Sequence, residues 1–177
     1  LGGSAYDLAA KFNALQRASR VPLFIAADLE SGPSMRIRGG TAFPGNMALG
    51  ATGREMDAYE VGRVIALEGR AVGINMVFAP VVDVNNNPLN PIINVRSFGE
   101  DPRQVGVLAS AFIRGLAEHG MLSTAKHFPG HGDTETDSHV ALPVINAGRA
   151  RLDSIELVPF RATVAAGVDA VMSAHIA

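Results

Sequence analysis

The stretch INMVFAPVVDVNNNP, Ile74–Pro88, is an apolar run that ends abruptly in an acid and a row of asparagines. Its first part, Ile74–Val82, has the length and β-branched content of a strand covered on both faces, without the alternation that would leave one face in water. Similar runs stand at Val21–Ala27, Met121–Ala125 and Val168–Ala174. Between them lie helical patterns. In Asp101–His119, Asp101 is placed to cap, Pro102 suits the first turn, and Gly120 ends the helix. Val105, Leu108, Ala109, Phe112, Ile113 and Leu116 then recur at helical spacing and predict one buried face. Arg54–Val72, closed by Gly73, reads the same way, and Tyr6–Ser19 and Ala150–Ala166 are further predicted helices.

Strands separated by helices imply parallel crossovers, so the predicted class is α/β. Three runs end in polar groups: Asp28 and Glu30, Asp83 with the asparagines, and Lys126 with His127. Ligands gather at the C-terminal ends of parallel strands, so these groups mark one functional face. No Gly-rich dinucleotide turn or Walker sequence follows a strand, which favours a TIM-type (β/α)8 barrel over an open nucleotide-binding sheet. A complete barrel takes about 250 residues, so this chain is expected to form a partial barrel of about four of the eight strand–helix units. The intervening stretches Glu30–Thr52 and Asn85–Glu100, rich in Gly, Pro and Asn, are predicted to be long binding loops.

Composition removes several classes. The 177 residues contain no Cys, which excludes disulfide scaffolds, zinc ribbons and thiol nucleophiles. With 15 Lys and Arg against 17 Asp and Glu and few aromatics, there is no basic stripe for nucleic acid. No apolar run has the length of a membrane span. The start at Leu1-Gly2-Gly3 and the finish within the apolar run read as an internal piece of a longer chain.

The densest polar chemistry is KHFPGHGDTETDSH, Lys126–His139. Three readings are open at this point. His127 and His131, with His139 or a carboxylate, could ligate zinc, although Pro129 and Gly130 break the helix that would align two imidazoles four residues apart. Asp137-Ser138-His139 could be an acid/base pair, since residues i and i+2 of an extended segment point the same way and a carboxylate can orient an imidazole for proton transfer. The segment could also be a solvated loop.

The same segment resembles the signature of glycoside hydrolase family 3, in its β-N-acetylglucosaminidase branch, where KH-x-PG-x-G is followed by Asp-Ser/Thr-His. PLFIAADLESG (Pro22–Gly32), FPGNMALGAT (Phe43–Thr52), INMVFAPVVDVNNNP, INVRSFGEDP (Ile93–Pro102) and AVMSAHI (Ala170–Ile176) are similar to that family in the same order. The resemblance implies a retaining glycosidase that removes terminal β-linked N-acetylglucosamine from an oligosaccharide or glycoside, without cofactor or metal. It implies that Asp137 and His139 are the acid/base pair and that Asp28, Arg96, Lys126 and His127 hold the sugar, with Asp83 a further acid lining the site. It also implies a nucleophilic Asp beyond the AVMSAHI strand, past Ala177, so these 177 residues alone are expected to be inactive or nearly so. Phosphorolysis, another β-glycosidase specificity and a non-catalytic sugar-binding barrel are the alternatives. The duller expectation for Asp28, Arg96 and Lys126 is a structural ion-pair network. The methionines read as core filler, His119 as a partner for a helix C-terminus, and Asp169 as lying at the wrong end of its strand to be the nucleophile.

Overall fold

The computed structural model of the chain describes residues 2–134, 143 and 147–176. It opens with β1 (Gly3–Ser4) and α1 (Ala5–Ala18), the Ser4 hydroxyl accepting from the Asp7 N–H to cap the helix. β2 (Ala26–Ala27), β3 (Ile37–Arg38) and α2 (Asn46–Thr52) follow, then α3 (Glu55–Ala71) and β4 (Met76–Val77). Next come α4 (Pro102–Ala117), β5 (Thr124–Phe128), α5 (Arg149–Ser154), α6 (Leu157–Ala165) and β6 (Ala170–Ser173).

The strand pairings are parallel throughout. β2 pairs with β4, Ala26 opposite Met76, and β5 pairs with β6, Thr124 opposite Ala170. Parallel bridges at Met76–Leu122 and Val81–Lys126 join the two pairs, so neighbours in the sheet follow chain order, with helices in each crossover. This is the α/β arrangement that the apolar runs predict. β1 and β3 form a separate two-residue ladder beside α1.

The regular ladders are shorter than the runs that contain them. Pro22 has no N–H to give, and Gln16 takes both polar groups of Leu23, accepting from its N–H and donating to its carbonyl, each at 2.9 Å. Asn75 Nδ2 also donates to the Leu23 carbonyl, and Asn75 Oδ1 accepts from the Ile25 N–H. Side chains thus satisfy backbone groups that a longer ladder would have used.

α4 forms as predicted. The Asp101 carboxylate accepts from the N–H groups of Arg103 and Gln104, Pro102 occupies the first turn, and Val105, Leu108, Ala109, Phe112, Ile113 and Leu116 are all buried. Its partner α3 presents Val61 and Ile65, and the two helices approach backbone to backbone. A Cβ on Gly62 would sit 2.2 Å from the Phe112 carbonyl oxygen, and one on Gly115 would sit 2.1 Å from that of Tyr59. Ile74, Val77, Ala79, Val82 and Ala125 from the strands complete the core.

Three expectations are corrected. The single helix expected over Ala150–Ala166 is two, α5 and α6, because Pro159 has no N–H for the Ile155 carbonyl and its ring would clash there in a continuous helix. The loop expected over Glu30–Thr52 contains β3 and α2. Met56 is 61% exposed, not core filler, whereas Met121 is buried. His119 Nδ1 lies 3.0 Å from the Gly115 carbonyl at the end of α4, the helix-terminal role expected of it.

Candidate active site

Five side chains converge where β2, β4 and β5 end. The first two leave β2 together: Leu29 is fully buried, so Asp28 and Glu30 on either side of it turn towards the same space. Arg96 arrives on the 3-10 turn Asn94–Arg96. That turn is tied down from two directions, by Asn46 Nδ2 donating to the Arg96 carbonyl and by Arg96 Nη1 donating to the Ile92 carbonyl, both at 2.9 Å.

Lys126 and His127 are consecutive in β5 and would point to opposite faces of a regular strand. The register against β6 shifts between them: Lys126 faces Met172, Phe128 faces Ser173, and His127 is the extra residue of a bulge. The bulge lets both side chains line one cavity.

The charges form a connected network. Lys126 Nζ lies 2.9 Å from Asp28 Oδ1 and 2.6 Å from Glu30 Oε1. Arg96 grips Glu30 with two parallel bonds, Nε to Oε2 at 2.9 Å and Nη2 to Oε1 at 2.8 Å, the fork geometry that makes such pairs strong. Burial alone would push the Glu30 carboxyl up, but the Arg96 hydrogen bonds and the charges of Lys126 and Arg96 outweigh it and hold the group down at about 2. The same pairing raises the Arg96 guanidinium above its usual range. Arg36 adds a looser contact, 3.4 Å from Asp28 Oδ2.

Behind His127 stands Asp83, whose residue is fully buried. Asp83 Oδ2 lies 2.7 Å from His127 Nδ1, and Oδ1 accepts from the N–H groups of His127 at 3.2 Å and His131 at 2.7 Å. Asp83 therefore does not line the cavity, as the resemblance implied, but supports a residue that does. His131 is also buried, its Nδ1 2.6 Å from Thr134 Oγ1, and burial lowers its pKa. Asn90 donates to the carbonyls of His131 and Gly132 and accepts from the N–H groups of Ile92 and Ile93, joining the 131–134 segment to the one that leads to Arg96.

Together these groups border a cavity of about 300 Å³ between Asp28, Arg96, Lys126, His127, His131 and the end of β6, including His175. A second cavity of about 470 Å³ adjoins it across Asp28 and Arg96, walled by Glu30, Met35, Arg36 and Asn46. Both are of the size of small-molecule sites, roughly 300–1,000 Å³. Asp28 and Glu30 stand against Arg36, Arg96 and Lys126, so fixed acceptors and fixed donors lie side by side in the walls. That suits a polyhydroxylated ligand, each of whose hydroxyls can both donate and accept.

All four expected sugar-holding residues, Asp28, Arg96, Lys126 and His127, thus meet in one place. Asp137 and His139 lie outside the described residues. The segment before them is anchored by Asn90, and Asp133 pairs with Arg151 on α5 at 2.6 Å. Asp169 lies at the opposite end of β6, its Oδ2 accepting from the Ser123 N–H and hydroxyl. Sequence reasoning passed over Glu30 and Arg36 as ligand-facing residues and took His131 only as a metal candidate. Glu30 was legible as a strand-end acid, but its bidentate partner lies 66 residues away. Among the described residues, no group of three or more His, Cys, Asp and Glu is placed to hold a metal ion, and no helix is long and apolar enough to cross a membrane.

Comparison with known proteins shows what the chain as a whole is similar to. Residues 4–177 match the family described as Glycosyl hydrolase family 3 N terminal domain. Beta-hexosaminidase A of Pseudoalteromonas piscicida is 46% identical over 93% of this chain and 29% of its own length. The solved glycoside hydrolase family 3 beta-N-acetylglucosaminidase of Paenibacillus sp. str. FPU-7 superposes with a TM-score of 0.93 at 49% identity, over 98% of this chain and 34% of that one. The beta-glucoside phosphorylase BglX, solved bound to 2FGlc, gives a TM-score of 0.95 at 38% identity, over 98% of this chain and 32% of that one. The chain therefore spans about a third of the length of each of these relatives.

Proposed function

The chain belongs to glycoside hydrolase family 3, and on that premise we propose that it supplies the sugar-holding wall and the acid/base loop of a retaining β-N-acetylglucosaminidase. The observation that carries this reading is the meeting of Asp28, Glu30, Arg96, Lys126 and His127 at the strand ends around two adjoining cavities. Asp28 and Glu30 accept hydroxyl protons of the sugar; Lys126, Arg96 and the His127 ring complete the hydrogen bonds from the other side.

Retaining hydrolysis needs one carboxyl group to attack the anomeric carbon and a second group to protonate the leaving oxygen. In this reading Asp137 orients the His139 imidazole, which protonates the leaving group and then takes a proton from the water that releases the sugar. The attacking carboxylate comes from the segment that follows β6 in the family, outside residues 1–177. The four parallel strands and their helices are, on this proposal, about four of the eight units of one catalytic barrel, and residues 1–177 are part of that single domain. The substrate is a β-linked amino-sugar oligosaccharide or glycoside, and peptidoglycan fragments of that type are the expected natural source.

The test is hydrolysis of an aryl β-N-acetylglucosaminide by the full-length protein, beside its His139→Ala variant and residues 1–177 alone. The full-length protein should turn over, and the other two should lose activity by about 100-fold or more, the scale of a missing general acid. Binding without cleavage by the full-length protein would refute the proposal. The likeness to a phosphorylase favours a second reading, so the assay is run with and without inorganic phosphate. A sugar 1-phosphate product assigns phosphorolysis.

A further inference from the structure

The parallel bridge between Val81 and Lys126 brings the segment that carries Asp83 alongside β5, where the Asp83 carboxylate reaches His127. Its carboxylate is the most buried acid near the cavity and meets no cation of the Lys126–Glu30–Arg96 network. Among the described residues its short contacts are to the His127–His131 turn: His127 Nδ1 and N–H, and the His131 N–H. A second constraint acts on the other side of the ring. His127 Nε2 lies 3.5 Å from Arg96 Nη2, and a guanidinium nitrogen can only donate. A proton on Nε2 would point at another N–H. A proton on Nδ1 points at Asp83 Oδ2, 2.7 Å away.

We infer that Asp83 is a positioning residue that holds His127 as its Nδ1–H tautomer, so that Nε2 is presented to the cavity as an acceptor for a hydroxyl proton of the sugar. The other carboxylate oxygen ties the turn that leads into the Asp137–His139 segment, so one buried acid aligns a sugar contact and the start of the acid/base loop. The Ser97 hydroxyl, donating to the Asp83 carbonyl at 2.6 Å, holds this residue from the Arg96 side. The assignment rests on the glycosidase reading above for the identity of the ligand, but not for the tautomer. A carboxylate orients metal-ligating histidines by the same bond, and losing it there costs about 10- to 100-fold, which sets the scale expected for a histidine that holds a sugar.

Two measurements on the full-length protein test it. In the unaltered protein labelled with 15N-histidine, with His127 assigned by its loss in His127→Ala, the ring should give the two-bond correlation pattern of the Nδ1–H tautomer. The Nε2–H pattern overturns the assignment, whether or not the enzyme turns over aryl β-N-acetylglucosaminide. The second is a double-mutant cycle with Asp83→Asn. Asparagine keeps the size of the side chain but must place an N–H or a weaker acceptor against Nδ1. It should raise KM and lower kcat/KM by about 10- to 100-fold, yet cost less than about threefold when His127 is already alanine. An equal loss in both backgrounds means that Asp83 acts only on the fold, and overturns the inference. If Asp83→Asn fails to fold, the tautomer measurement on the unaltered protein decides alone. Absent turnover with the Nδ1–H pattern present would refute the glycosidase reading and leave the positioning role standing.

Discussion

Replacing Glu30 by Gln removes one charge from the centre of the network while keeping its shape, and its effect on stability can be worked from the structure. The carboxyl is held at about 2 against an ordinary 4.5. A depression of that size corresponds to about 3 kcal/mol of folding stability, at about 1.4 kcal/mol for each tenfold change. Because the folded state lowers the pKa, this contribution is fully present above pH 4.5 and is lost as the pH falls towards 2. The side chains are buried enough for the figure to stand without much solvent screening: Lys126 is 3% and Glu30 10% exposed. Among the described residues, removing the acid also leaves Asp28 as the one carboxylate paired with Lys126. In urea unfolding of the full-length protein, Glu30→Gln should therefore be less stable than the unaltered protein by about 3 kcal/mol at pH 7, and the gap should close between pH 4.5 and 2. Carboxylates outside this network are the same in both proteins and cancel in the difference. A gap that stays constant over that range, or no gap at pH 7, would refute the reasoning.

Further outcomes follow from single contacts. Lys126→Met keeps the stem but leaves Asp28 and Glu30 without their shared cation; KM for the aryl glycoside should rise by about 10- to 100-fold, the value of hydrogen bonds to charged groups of about 1.5–3 kcal/mol. Gly62→Ala or Gly115→Ala gains about 1 kcal/mol of helix propensity but drives a methyl into a backbone carbonyl that cannot swing away. Either should lower the thermal midpoint, by a net loss of about 1–3 kcal/mol. Asp101→Ala removes the α4 cap and should cost about 1 kcal/mol in urea unfolding, with kcat unchanged because Asp101 lines neither cavity.

Much was readable from local pattern. The cap at Asp101, the buried stripe of α4 and the parallel class all follow from spacing and residue type, which act over a few neighbours and need no tertiary information. The polar strand ends marked one face of the sheet for the same reason, and the segments carrying Asp28, Arg96, Lys126 and His127 supplied four side chains that border one cavity. The break between α5 and α6 was also legible in Pro159, and weighing it would have divided the predicted helix.

Other features are properties of pairs distant in the chain. Nothing near Glu30 reveals that Arg96 will grip it, or that a bulge in β5 will turn Lys126 and His127 to one side. Asp83 reads as one more strand-end acid until the Val81–Lys126 register sets it behind His127 instead of in the cavity wall. Sequence alone determined the longer helices, the parallel class and the end of the sheet where the polar groups gather, because propensity, capping and periodicity are local. Register, bulge and burial decided which acid lines the cavity and which stands behind another residue, because those depend on where two strands come to lie side by side.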